Sequence, residues 1–258
     1  MKKSITFKLA ELFCGPGGLS YGAMSASVTD SNGKIYKVNP IWANDIDENT
    51  CNTYARNIHG GDRTNVICAP VETIDFDKVP SFDALAFGFP CNDFSVVGEQ
   101  KGFNGKYGPL YTYGVKAINI HNPKWIIAEN VSGLQSANDG EAFSKILEDL
   151  EKAGNGYRLY PHLYKFEEYE VPQTRHRVVI IGIRKDLDLE FKIPAPSTAE
   201  KYVTAREALE EPPISTNAPN HENTSQAQMV IERLKYIPPG ENAWYSEIPE
   251  HLRLNVKG

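Results

Sequence analysis

At 258 residues the chain is long enough for one large domain, or one domain and part of another, and for a substantial core. With 41% hydrophobic and 23% charged residues it has the composition of a globular protein, and no apolar run approaches the roughly 18 residues of a membrane helix. The net charge of −6 excludes a chain-wide basic footprint for phosphate binding, though a whole-chain sum hides local patches.

The N-terminal MKKSITFKLAELFCG has two lysines but no uninterrupted apolar stretch and no small-residue cleavage site, so it reads as a first strand and not a signal peptide. With no export signal, Cys14, Cys51, Cys68 and Cys91 are expected as reduced thiols in the cytoplasm. None forms a C-x-x-C pair, and no metal is expected. Residues 5–13 predict a strand ending at CGPGG, then a helix from about Leu19. SASVTDSNGKIYK predicts a polar surface loop. A second strand is expected near 38–44, then a helix carrying Cys51, Tyr54, Ala55 and Ile58 on one face. FDALAFG (82–88) and KWIIAEN (124–130) are buried-strand signatures. Between them lie a glycine-rich loop and a predicted helix near 110–120. Phe143, Ile146, Leu147 and Leu150 keep helical spacing, and RVVIIGIR (177–184) predicts a further strand. After Phe191 proline and polar residues dominate, with two short helices expected, N-capped by Thr204 and Ser225.

Strands alternating with helices imply an α/β fold with a mostly parallel sheet covered on both faces. It is expected over residues 1–190, followed by the start of a second, irregular domain over 191–258. Such sheets bind ligands at the carboxyl ends of their strands, where four clusters fall. Phe13-Cys14-Gly15-Pro16-Gly17-Gly18 lets backbone approach a ligand, or is a plain turn. Asp45 can accept hydrogen bonds from both hydroxyls of a ribose, or is an exposed helix cap. Cys91, after Pro90 at a strand end, is placed like a nucleophile, or is an inert buried thiol. Glu129, at the end of a neighbouring strand, can deliver a proton if a partly apolar pocket raises its pKa, or is an ion-pair partner. A fifth cluster opens a strand: Arg175 and Arg177 should share a face, with His176 opposite, and bind a phosphate or exocyclic oxygen or simply face solvent.

In this order the clusters resemble the cytosine-C5 DNA methyltransferase family: its F-x-G-x-G-G loop, its P-C motif, its E-N-V motif and its Q-x-R-x-R motif. The resemblance covers about residues 7–187. It implies a Rossmann-like S-adenosylmethionine-dependent fold acting on duplex DNA in a restriction-modification setting, with S-adenosylhomocysteine as product. It also implies roles for single residues. Phe13, Gly15, Gly17, Gly18 and Leu19 would line the cofactor pocket. Asp45 would hold the ribose, Ile46 would lie against the adenine, and Val71, Pro90 and Leu110 would border the cofactor. Cys91 would attack C6 of a flipped-out cytosine, Glu129 would engage N3 and the exocyclic amine, Arg177 would contact O2, and Arg175 would lie close to Cys91.

Some positions depart from the family pattern. The acid that meets the adenine amine falls on Ala69-Pro70-Val71, so that contact is absent or comes from Glu72. Asn92 stands where glutamine is usual, and Glu170 replaces a common glycine. The family's later motifs do not occur before Gly258. The chain is therefore expected to be a fragment or one half of a split enzyme completed by a second polypeptide. Three other readings remain: a cofactor- or partner-binding half inactive alone, an enzyme of the family's RNA branch acting on tRNA, and a nucleotide-dependent oxidoreductase. The last has no use for Cys91 and Glu129 together.

Overall fold

The computed structural model describes residues 4–90, 110–219, 221 and 224–254. Cys91 and Asn92 lie outside the described residues. The chain forms two compact units, Met1–Ala205 and Arg206–Gly258.

In the first unit the strands are β1 (Ser4–Leu12), β2 (Ser27–Thr29), β3 (Ile35–Asp45), β4 (Val66–Cys68), β5 (Ala84–Gly88), β6 (Trp125–Val131), β7 (Tyr157–Lys165) and β8 (His176–Arg184). The helices are α1 (Gly18–Ser25), α2 (Glu48–His59), α3 (Tyr111–His121) and α4 (Glu141–Lys152). The strands make one sheet in the order β2-β3-β1-β5-β6-β8-β7, with β4 also paired to β3. Strands β3, β1, β5 and β6 are parallel, as is β4 to β3. Pairing is antiparallel at both margins, where β2 meets β3 and where β8 pairs with β6 and β7. The expected mostly parallel α/β sheet is thus the observed one.

Alternation along β1 sends Ala10 and Leu12 into the main core, while Leu9 packs with Ala84 and Ala86 in a second cluster. Helix α2 buries Cys51, Tyr54, Ala55 and Ile58, the four residues its sequence pattern selects. The Asp47 carboxylate accepts the Thr50 N–H at 2.7 Å to start it, and Gly60 (φ 62°) ends it.

The polar stretch after α1 is not a loop: Ser27–Thr29 pairs with residues 35–37 as a hairpin. The Asp30 carboxylate accepts the N–H groups of Asn32 and Lys34, each at 2.9 Å, and so builds the turn that a composition-based reading takes for loop. Strand β7 has no counterpart in the sequence reading. Gly182 on β8 shows how tightly this margin packs: a Cβ there would lie 2.6 Å from Ile126 Cγ1 and 3.1 Å from Leu159 Cδ2. Gly182→Ala is expected to cost about 1–3 kcal/mol by overpacking, read as a lower denaturant midpoint at unchanged m-value.

Residues 194–198 are tied to the turn at Phe166–Tyr169. Ser197 and Thr198 N–H donate to the Glu168 carbonyl, and Tyr169 Oη donates to the Pro194 carbonyl. The second unit holds α6 (Gln228–Leu234), with α5 (Ala205–Glu210) at its start. Helix α6 begins three residues after Ser225, from the extended residue Ala227 and with no side-chain cap, so Ser225 is not the N-cap the sequence suggests. Arg253 closes a loop there by donating to the carbonyls of Ile248 and Ser246, both at 2.8 Å. No helix among the described residues is long and apolar enough to cross a membrane.

Candidate active site

The carboxyl ends of β1, β3 and β5 open into a cleft of about 560 Å³. Phe13, Asn44, Asp45, Ile46, Ala69, Pro70, Val71, Glu72, Gly88, Pro90 and Leu110 line it. Phe13 leaves β1 in the left-handed region (φ 54°), a conformation costly for a bulky residue and one that clusters at binding sites. Asp45 ends β3 with its carboxylate already committed to backbone: Oδ2 accepts the Gly15 N–H at 2.9 Å, and Oδ1 accepts the N–H groups of Ile46 (2.8 Å) and Asp47 (3.1 Å). It thereby joins the glycine turn after β1 to the turn after β3. Ile46 is 69% exposed beside it, an apolar surface held in the open at the cleft.

Of the residues expected around a cofactor, Phe13, Asp45, Ile46, Val71, Pro90 and Leu110 line this cleft, and so does Glu72. Gly15, Gly17, Gly18 and Leu19 are not among its lining residues, although the Gly15 N–H donates to Asp45, which is. Gly17 (φ 97°) has a packing requirement of its own, because a Cβ would meet Ile58 at 3.0 Å and Tyr54 at 3.1 Å. The Leu19 side chain packs against the cluster of Leu9, Ala84 and Ala86. The sequence does not single out Asn44 or Gly88, and it marks Ala69 and Pro70 only as positions where the family's acid is missing. Asn44 is legible only in the fold, where its amide donates to the carbonyls of Ile67 and Ala69, both at 2.9 Å, and fixes the cleft wall.

The second half of the site sits across β5, β6 and β8. Glu129 pairs in register with Gly88 on one side and Val179 on the other. A Cβ at Gly88 would come within 3.1 Å of Glu129 Oε2, so glycine is what leaves room for the carboxyl at the cleft. Arg177 lies diagonally across the antiparallel pair, opposite Val131, and its Nε donates to Glu129 Oε1 at 2.9 Å. Burial pushes the Glu129 pKa up, and the opposing charges of Arg177 and Arg175 do not cancel the shift. The result is a carboxyl that is both ion-paired and unusually ready to hold a proton.

Arg175 itself is exposed, but its backbone is held from two directions. Its N–H donates to Glu167 Oε2 at 3.1 Å and its carbonyl accepts the Phe166 N–H at 2.9 Å. The other Glu167 oxygen meets His176 Nε2 at 2.7 Å. Asn130, 3% exposed, donates from Nδ2 to the Phe89 carbonyl at 3.1 Å and accepts the Val131 N–H at 2.8 Å. It fastens the end of β6 to the segment leading into Pro90 and Cys91.

The family model for C-5 cytosine-specific DNA methylase matches residues 7–257. Type II methyltransferase M.BbvI of Brevibacillus brevis is 54% identical over 97% of this chain and 68% of its own length. M.NgoFVII of Neisseria gonorrhoeae is 35% identical over 97% of this chain and 64% of its own. A crystal structure of a prophage-encoded E. coli DNA modification methyltransferase superposes with a TM-score of 0.60 at 22% identity, over 91% of this chain and 66% of that one, and shows the shared fold. The chain thus spans about two thirds of the length of these relatives. With the α/β sheet and the cleft at its strand ends, these matches show that the chain belongs to the C-5 cytosine-specific DNA methylase family.

Proposed function

We propose that the chain carries the catalytic part of a cytoplasmic enzyme of a restriction-modification system. It transfers a methyl group to C5 of a cytosine flipped out of duplex DNA. The observation that carries this reading is the Glu129–Arg177 pair beside Gly88, at the edge of the cleft and next to the segment that leads into Cys91. Residues 1–190 hold the transfer chemistry, and 191–258 begin the region that recognises the target.

The cleft suits S-adenosylmethionine. Its volume is within the usual range for small-ligand sites, and it offers an acid at a strand end, an aromatic wall at Phe13 and apolar walls at Ile46, Val71 and Leu110. When bound, the cofactor supplies an electrophilic methyl group. Asp45 would hold the ribose hydroxyls, Ile46 would cover the adenine, and Glu72 is within the same wall for the exocyclic amine. Asp45→Ala removes the anchor that joins the two turns. It is expected to weaken S-adenosylhomocysteine binding about 10- to 100-fold by calorimetric titration, the equivalent of one to two charge-assisted hydrogen bonds.

Cytosine C5 is a poor nucleophile until C6 is attacked, so the residues must create electron density there and absorb it elsewhere. Cys91 forms the bond to C6. Glu129 delivers a proton to N3 as that bond forms, so negative charge does not build on the ring. Arg177 would hold O2, and its pairing with Glu129 would orient the acid before substrate arrives. After C5 has taken the methyl group, loss of the C5 proton and departure of Cys91 Sγ restore the aromatic ring, and the N3 proton returns to Glu129.

The test is intact-mass analysis after incubating the chain with S-adenosylmethionine and duplexes carrying 5-fluorocytosine, where fluorine blocks the final proton loss. A covalent adduct mapping to Cys91 is expected, and Cys91→Ser should form none while still binding cofactor. An adduct on another residue would overturn the assignment, and adduct formation with tRNA but no duplex would move the enzyme to RNA.

A further inference from the structure

The buried group left unused by this chemistry is Glu11. It sits on β1 at 2% exposure, between Ala43 and Ala86 on the neighbouring strands, just before the turn that Asp45 anchors. Ser20 of α1 donates to its Oε2 through the hydroxyl and contributes its backbone N–H as well. The Ser20 hydroxyl in turn is 2.7 Å from Tyr54 Oη of α2. These three side chains are all buried, and Tyr54 is one of the two residues, with Ile58, that a Cβ at Gly17 would meet. One carboxyl therefore ties together β1, α1 and α2 directly beneath the glycine turn.

The titratable groups facing it are Tyr54 from α2, Cys14 from the turn and Asp45 from β3. None is a cation. Ionised Glu11 would face the Asp45 carboxylate with only hydroxyl and amide donors for compensation, an uncompensated buried charge. Burial pushes the Glu11 pKa up to about 7, with Asp45 adding to the shift and the Ser20 and Tyr54 hydrogen bonds opposing it.

We infer that Glu11 is a positioning residue for the cofactor turn: neutral, it holds α1 and α2 through Ser20 and Tyr54 so that the turn stays closed on Asp45, and on ionisation it loosens that turn. The inference rests on the cofactor reading above. Relief of a buried charge requires water or movement in the elements that enclose it, and the turn that directly follows β1 is one of them, so cofactor affinity is expected to fall as the proton is lost.

The experiment is calorimetric titration of the full chain with S-adenosylhomocysteine between about pH 6 and pH 8, alongside Glu11→Gln, a neutral residue of the same shape. Wild-type affinity is expected to fall about three- to tenfold across that range, as for one linked proton, and Glu11→Gln to bind with little pH dependence. The ligand's own ionisation is common to both proteins. A wild type with flat affinity, one whose affinity rises with pH, or a Gln variant that keeps the wild-type slope overturns the inference while the cofactor reading stands. Absence of binding by wild type at every pH removes both. If the Gln variant does not fold, Ser20→Ala decides. It withdraws a hydrogen bond that favours the charged form, so the midpoint of the affinity change must move to higher pH, and an unmoved midpoint overturns the inference.

Discussion

Glu129→Gln is expected to lower kcat/KM for methyl transfer by about 10²- to 10⁴-fold, the usual worth of a positioned proton donor, while leaving S-adenosylhomocysteine affinity within about twofold. Glutamine keeps the shape of the side chain and its amide oxygen can still accept from the Arg177 Nε, so packing against Gly88 and the placement of Arg177 change little. What disappears is the proton. Burial raises the Glu129 pKa against the pull of two arginines, so the protonated form remains accessible closer to neutrality than for an ordinary carboxyl. A split of the effect, with kcat collapsing and cofactor affinity unchanged, is the signature of a group that acts only in the transition state. Equal losses in both would assign Glu129 to cofactor binding.

Arg177→Met is expected to lower kcat/KM by about a hundredfold and to cost about 1–2 kcal/mol of stability, less than for a fully buried pair because both side chains keep some solvent contact. The pH dependence has a definite sign. Arg177 lowers the Glu129 pKa, so removing it raises the folded-state value further above that of the unfolded chain. Between the ordinary carboxylate range and that raised value, the folded protein holds more protons than the unfolded one, and stability falls as pH rises. The deficit of the variant is therefore smallest at mildly acidic pH and full at neutral pH, as read by urea midpoints across that range. In a Glu129→Gln background the same substitution should cost less and lose its pH dependence, since no charge is left to strand.

Much of this architecture was legible from residue pattern alone. Strands β1, β5 and β6 are largely apolar runs with glycine or an acid at or near their carboxyl ends, and α2 carries its buried face at helical spacing. Strand β7 was not legible. Tyr157–Lys165 contains Pro161, borders the sheet and buries only Tyr157 fully, so it has neither the composition nor the alternation of a covered strand. Strand β4 is three residues long, too short for any period. At the site, the identities of Asp45, Glu129 and Arg177 could be read, but their pairing could not. Glu129 meets Arg177 through a diagonal in an antiparallel register, and that register is a property of the sheet. Gly88 looked like the end of a strand until the fold placed the Glu129 carboxyl where its side chain would have been. Glu11 gave no signal because a single acid in an apolar strand reads as an exposed position.

The antiparallel entry of β8 also sets when the site can exist. In the parallel part of the sheet, functional residues lie at the last positions of their strands, but Arg177 comes from the beginning of β8, after the chain has run through α4 and β7. Roughly fifty residues of synthesis separate the emergence of Glu129 from that of Arg177, several seconds at about 5–20 residues per second. During that interval the nascent chain carries the glycine turn and the Glu129 carboxyl with no guanidinium to pair with it. On the roles proposed for Glu129 and Arg177, chemical competence would be conferred by the last strands of the sheet to be made, and a ribosome-bound chain that ends before β8 should be able to form the cleft and yet be inert toward DNA.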